Sequence, residues 1–344
     1  MSRNLFNRIA EGILAHDYAS YFTQTRSACG ALGLHPLQKM TAAMRMLTYG
    51  IAADGADEYI RSAEATNLDA CKKFVIAVCQ VFGQQYLRSP NEEDTARLLA
   101  IGEERGFPGM LGSIDCMHWG WKNCPKQWHG MFKGHVKEPT MILEAVASKD
   151  LWIWHAFFGL PGSNNDINVL QRSPVFAKLA EGEAPEVNYS ITGHHYTMGY
   201  YLADGIYPEW ATFVKTIPSP QGRKKKHFAQ RQEGAKKDVE RAFGVLQSHF
   251  AIVRGPAKGW KRKEIGDVMK ACVIMHNMIV EDERDNGRQD NNYEGMGERV
   301  RVSRTHAEEL SAFLQMHQRI EDKTNHRQLQ DDLVEHLWQK FGDE

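Results

Sequence analysis

Two apolar runs of strand character each end on an aspartate, and a glutamate follows in a stretch of helical character. The first run ends as Gly112-Ser113-Ile114-Asp115-Cys116-Met117-His118-Trp119 and the second as Tyr201-Leu202-Ala203-Asp204-Gly205-Ile206-Tyr207-Pro208. The glutamate lies in Lys237-Asp238-Val239-Glu240-Arg241-Ala242-Phe243-Gly244, and 35 residues separate it from Asp204. Acids at two strand ends and on a later helix call for a mixed α/β core that folds distant segments together. Neighbouring strands lie about 4.8 Å apart, so carboxylates at adjacent strand ends can share an ion. Three hard oxygen donors suit Mg²⁺ or Mn²⁺ rather than Zn²⁺. Carboxylates that draw two divalent ions together drive in-line displacement at phosphorus. Asp115, Asp204 and Glu240 are therefore the candidate catalytic and metal-binding residues. The chemistry they point to is the cutting or joining of nucleic acid.

The surrounding sequence supplies the elements such a site needs. Residues 1–105 read as a helical domain, because Leu37, Met40, Met44, Leu47 and Ile51 recur at helical spacing, as do Phe74, Val75, Val78, Val81 and Phe82. Between these stretches a short helix, a turn and a capped start near Thr66 or Asn67 are expected. That arrangement fits a helix-turn-helix or a bundle that supports the next domain. Residues 106–282 read as the mixed α/β core. Strands are expected over 111–121, 140–148, 151–160 and 199–203, with the second and third antiparallel across a turn at Lys149-Asp150. Pro161 to Asn164 break the third strand and supply the N-cap of a helix beginning at Asp166. Helices are expected over 230–250 and 265–280. Residues 283–344 read as a linker, with a loop over 283–300, and an acidic tail. The tail's two helices would carry Leu310, Phe313, Leu314 and His317, then Leu329, Leu333, Leu337 and Phe341.

Asp166 competes with Asp204 as the second acid. An acid in a first helical turn complements the helix dipole, which explains Asp166 without chemistry. Asp204, at the end of a strand able to lie beside the Asp115 strand, is the better candidate.

The net charge of −1 conceals strong segregation. Residues 223–263 hold thirteen Lys or Arg against three acids, whereas residues 281–344 hold nine against sixteen. A basic stripe that contains Glu240 itself suits a polyanionic substrate. Arg223, Lys224, Lys225 and Lys226 follow Pro218, Pro220 and Gly222, and are expected in a loop that reaches over DNA or serves as a nuclear-import patch. Lys237 and Arg241 bracket Glu240 at helical spacing. They are further candidate DNA contacts, or simple helix ion pairs with Glu240.

Other chemistries find less support. There is no run of about 20 apolar residues to span a membrane, no leader-like apolar segment at the N-terminus, no P-loop and no Gly-x-Ser-x-Gly elbow. The six dispersed cysteines read as free thiols in a reducing compartment. Cys116, His118, Cys124 and His129 lack the paired C-x2-C spacing of most structural zinc sites. His118 reads instead as a polar neighbour of the metal site. Trp119, Trp121 and Trp128 can stack on bases, though core packing is the commoner fate of tryptophan. His276-Asn277 sits in an apolar helix and reads as a hydrogen-bonded core pair.

Taken together, the three acid motifs, Lys122-Asn123-Cys124-Pro125 and Gly162-Ser163-Asn164-Asn165-Asp166 resemble the DDE endonuclease domain of PIF/Harbinger transposases, above all the plant, Pong-like branch. The resemblance covers roughly residues 30–282. It implies an RNase H-like catalytic core, two divalent cations (Mg²⁺ or Mn²⁺), and a triad on Asp115, Asp204 and Glu240. It implies hydrolytic nicking at transposon ends, followed by attack of the freed 3′-OH on target DNA. It also implies double-stranded DNA (terminal repeats and target) as substrate, a Myb/SANT-like DNA-binding partner, homo-oligomers on DNA, and action in the nucleus, with residence in the cytoplasm as the alternative and import aided by a partner. The same family holds domesticated host derivatives, so a chromatin or DNA-binding adaptor without cleavage is the alternative. Cys116-Met117-His118 stands where many members have Gly-Thr-His, a variant that fits the plant branch.

Overall fold

A computed structural model describes residues 1–16, 19–134, 137–174, 187–287 and 320–342. The N-terminal part is helical: α1 (Arg3–Leu14), α2 (Ala19–Phe22), α3 (Pro36–Tyr49), α4 (Ala53–Ile60), α5 (Glu64–Tyr86) and α6 (Glu92–Glu104). Its helix starts are written in the sequence. Pro36 opens α3 with a pre-set φ, and His35 and Gln38 cap each other's backbone. Asn91 and Asp94 do the same for α6. α5 departs from expectation. It begins at Glu64 behind Ala63, without a side-chain cap. Asn67, an expected cap, is instead 1% exposed within the helix. Its amide donates to Ala53 O at 3.1 Å, and Ser62 Oγ donates to its Oδ1 at 2.5 Å. A buried amide must be paired, and tying α4 to α5 pairs it.

Seven strands follow among the described residues: β1 (Met110–Gly120), β2 (Thr140–Ala147), β3 (Ile153–Pro161), β4 (Tyr189–Ile191), β5 (His194–Tyr196), β6 (Tyr200–Ala203) and β7 (Phe213–Lys215). Five form one sheet in the order β3-β2-β1-β6-β7, and β4-β5 form a separate hairpin. The pairs β1-β2 and β2-β3 are antiparallel, whereas β1-β6 and β6-β7 are parallel. This is an RNase H-like core. β2 is buried along its whole length, the mark of a strand covered on both faces. β7 and the hairpin were not expected. At three residues each, they are too short for alternation to register.

Three short helices, α7 (His129–Phe132), α8 (Asp166–Leu170) and α10 (Ala251–Arg254), and three long ones, α9 (Arg223–His249), α11 (Arg262–Gly287) and α12 (Lys323–Phe341), complete the described chain. α8 is capped by Asn165, one residue beyond the expected Pro161–Asn164 stretch, and Asn165 Oδ1 accepts from Asn168 N at 2.9 Å. α9 starts at Arg223, so the four basic residues form its first turn and not a loop. Gly222, at φ +81°, makes the break that the prolines had suggested. Cations at a helix N-terminus oppose the dipole. Lys224 is steadied by α12, through Glu335 at 2.6 Å. α11 continues to Gly287, so residues 283–287 are helical and not part of the expected loop. The rest of that loop and the helix expected around Leu310 to His317 lie outside the described residues.

A continuous cluster of buried side chains joins α1, α3 and α5 to β2, α9 and α11. Asn277 sits at its centre, fully buried. Its amide donates to Ile153 O (2.8 Å) and Tyr86 O (2.7 Å), and it accepts from Ile153 N (2.9 Å). His276 beside it meets Leu151 O through Nε2 at 2.8 Å. Both are core residues: Asn277 ties α11 to the start of β3, and His276 ties it to the turn before that strand.

Candidate active site

Asp115 lies midway along β1, Asp204 one residue beyond β6, and Glu240 on α9. Register explains why the first two meet. Ser113 pairs with Leu202 in the parallel β1-β6 ladder, so two residues further on Asp115 and Asp204 stand side by side. The ladder slips once, between Met110 and Gly112. Gly112 has φ +156°, and a Cβ there would stand 2.7 Å from Ala147 O. Glycine thus allows the bulge that sets the register three residues before Asp115.

α9 crosses this end of the sheet and brings Gln232, Lys236 and Glu240 to one face at helical spacing. Gln232, 1% exposed, donates to Ala203 O and Val214 O, each at 3.1 Å. It thereby fastens the helix to the strand ends next to Asp204. Ser113 Oγ donates to Ala235 O at 3.2 Å. On another side of α9 the fully buried Asp238 takes Arg105 from the end of α6 and Arg241 from its own helix.

The three acids converge on one atom. Lys236 Nζ donates to Asp115 Oδ2 at 2.8 Å, Asp204 Oδ2 at 2.9 Å and Glu240 Oε1 at 3.0 Å. Asp115 Oδ1 accepts from Cys116 N at 2.8 Å. The lysine side chain is 8% exposed and that of Asp115 16%, whereas Asp204 and Glu240 are about half exposed, at 49% and 50%. The cluster is therefore anchored on the sheet and open to solvent on one side. Burial pushes the Asp115 carboxyl up, against the opposing pull of Lys236 and the Cys116 amide. For Lys236, burial pulls down, but its bonds to the three carboxylates outweigh it and hold the ammonium above the ordinary lysine range.

The remaining candidates fall elsewhere. Asp166 is in the first turn of α8. Burial raises its carboxyl, opposed by a Cys116 hydrogen bond and by His118. Strand alternation puts Cys116 and His118 on the face of β1 opposite Asp115. His118 Nδ1 meets Thr140 Oγ1 at 2.9 Å. His118 is thus a neighbour of Asp166 and does not join the three-acid cluster. Cys116 faces Tyr207, Cys124 Sγ bonds to Pro125 O, and His129 bonds to Cys124 O. The four suspected zinc ligands therefore meet different partners. Trp119 and Trp121 are buried and donate to Gly255 O and Gly259 O, while Trp128 packs against Trp121. Glu240 pairs with Lys236, and Arg241 with Asp238, so the bracketing pairs considered for Lys237 and Arg241 are not the ones formed. Lys237 is exposed.

Lys236 is the member of this cluster to which motif reading assigned no role among the acids. Its spacing of four from Glu240 was a signal for one ion pair. Nothing in the spacing indicates that it also reaches two aspartates on the sheet.

A family model described as plant transposon protein matches residues 84–287, more than half of the chain and all three acids. The chain belongs to the plant transposon protein family. That match agrees with the PIF/Harbinger-type resemblance of the motifs. Over 189 residues the chain is 23% identical to Protein ALP1-like of Arabidopsis thaliana, a stretch covering 51% of this chain and 44% of that protein. The chain thus spans less than half the length of this relative. No solved structure matches it.

Proposed function

We propose that this plant transposon family chain is a metal-dependent DNA endonuclease of the transposase type. It would nick duplex DNA at transposon ends and pass the freed 3′-OH to target DNA. One observation carries the reading: carboxylates from β1, the end of β6 and α9 surround a single cation position at 2.8–3.0 Å. Among the described residues no three His, Cys, Asp or Glu side chains stand ready to hold a metal ion. In this cluster the cation is the Lys236 ammonium. The donor set is nonetheless all hard oxygen, with Asp115 anchored and Asp204 and Glu240 facing solvent, which fits Mg²⁺ or Mn²⁺. Asp115 would serve two ions, Asp204 one of them and Glu240 the other. When bound, such ions activate the attacking water or 3′-OH and stabilise the leaving oxygen.

The chain's own cations would hold the substrate. Arg223, Lys224, Lys225 and Lys226 are all exposed on the first turn of α9. They lie about 15–20 Å along the helix axis from Lys236, at 1.5 Å per residue. Lys237 and Arg241 are exposed beside Glu240. Duplex DNA across this surface would be gripped by its phosphates without being read. A Myb/SANT-like partner for end recognition, homo-oligomers on DNA and nuclear action complete the proposal on the family likeness.

The test is nicking of terminal-repeat duplex in Mg²⁺ or Mn²⁺, with and without the partner. Asp115→Asn, Asp204→Asn and Glu240→Gln should each abolish cleavage and spare duplex binding, while Asp166→Asn retains most activity. Loss with Asp166→Asn and retention with Asp204→Asn would reverse the choice of second acid. A second reading, a DNA-binding adaptor that does not cut, is favoured by the presence of Lys236 among the acids. Intact duplex binding with no nicking in either metal would establish it.

A further inference from the structure

We propose that Lys236 is the resident cation of the carboxylate cluster and that a divalent metal ion takes its place by displacing it. The proposal rests on the metal-site reading of Asp115, Asp204 and Glu240. An ammonium has three N–H donors, and Lys236 directs hydrogen bonds to one oxygen of each of the three acids. Without a cation, three carboxylates this close repel one another. Lys236 offsets one of the three charges, which leaves the cluster attractive to a divalent ion. An ammonium and a metal ion cannot share the same oxygens at the same point, so one must leave.

The surroundings let the side chain leave without moving the helix. α9 is fastened on either side of Lys236 by bonds that do not involve it. Gln232 holds Ala203 O and Val214 O, Ala235 O accepts from Ser113, and Asp238 holds Arg105. Lys236 itself is a point charge on a flexible four-carbon stem. The half-exposed Asp204 and Glu240 flank its way out to solvent. The exchange is therefore a side-chain event on a fixed frame. Its consequence is a pre-formed set of acids that metal enters only in competition with the chain's own cation, and an ammonium released beside the bound ions.

Two DNA-free measurements test this. In the parent protein, an amine-reactive label should modify Lys236 slowly without metal and faster once Mn²⁺ is bound. The exposed neighbour Lys237 should react at the same rate in both states. Mn²⁺ titration followed by electron paramagnetic resonance should show Lys236→Met binding Mn²⁺ about tenfold more tightly than the parent, or better, since three charge-assisted bonds no longer compete. Asp115→Asn should weaken binding in both backgrounds. Unchanged Lys236 labelling at saturating Mn²⁺, or equal affinity in parent and Lys236→Met, overturns displacement and leaves the metal site standing. Binding by Lys236→Met alone also overturns it, because the lysine is then a permanent occupant. Absence of binding in both proteins overturns the metal-site reading, and the proposal with it. Should Lys236→Met fail to fold, labelling of the parent decides.

Discussion

Arg105→Met should destabilise the protein and disarm the site through a single buried carboxylate. The Asp238 side chain is fully buried, and Arg105 and Arg241 are its charge partners. Removing one member of a buried pair costs about 3–5 kcal/mol, because a charge is left without compensation. Arg241 remains, but its side chain is 57% exposed and holds Asp238 from the solvent side. The lower end, about 3 kcal/mol, is therefore expected. Asp238→Asn removes the charge at nearly constant volume, so the double variant should cost less than the two single changes added together. A coupling of about 1–2 kcal/mol is expected for residues in direct contact. Urea unfolding followed by circular dichroism on the parent, both singles and the double measures it. Asp238 lies between Lys236 and Glu240 in sequence, so Arg105→Met should also reduce nicking more than duplex binding. Additivity within about 0.5 kcal/mol would refute the argument, since the two side chains would then act independently.

Neutralising Arg223, Lys225 and Lys226 together should weaken duplex binding and flatten its salt dependence by about 0.9 in slope per lost phosphate contact. An unchanged slope in a salt titration would remove this turn of α9 from the DNA surface. Lys224→Gln should cost less, because Glu335 already engages that ammonium. Burial lowers His276 from 6.5 to about 4. Between those values the unfolded chain binds a proton that the folded chain refuses. Stability should thus fall as pH drops from about 6.5 to about 4, by up to about 3 kcal/mol. His249, 3.2 Å away and also lowered by burial, adds to the same slope. Urea midpoints measured across that range should show the fall, and His276→Gln should flatten it. Gly112→Ala must relieve a 2.7 Å approach to Ala147 O at a positive φ. It should cost about 1–3 kcal/mol and displace Asp115, so loss of nicking should accompany the shift in urea midpoint. A neutral result would show that the bulge does not set the register.

Much of the core could be read from local chemistry. Apolar runs bounded by turn signals marked β1, β2, β3 and β6 within a residue or two of their observed ends, although Asp115 proved to lie in the middle of β1 and not at its end. The 3.6-residue recurrence marked α3, α5, α9 and α11. His276 and Asn277 were legible as core residues because a polar pair on an apolar helix must find buried partners. Asp166 reached its helix start because a short acid after an Asn-rich break is a local signal. Other features depended on segments far apart in the chain. The bulge at Gly112, the bridging of three acids by Lys236, the Arg105–Asp238 pair and the position of His118 on the opposite strand face each follow from register and packing. Where α9 begins also lay beyond the local signal, because Lys224 finds its counter-charge on α12. The sequence by itself determined which residues carry the charges and how each segment is shaped, since side-chain type and period are local properties. Only the tertiary structure decided which charges face one another, because Asp115, Asp204 and Lys236 meet through strand register and helix docking, across separations that no local pattern encodes.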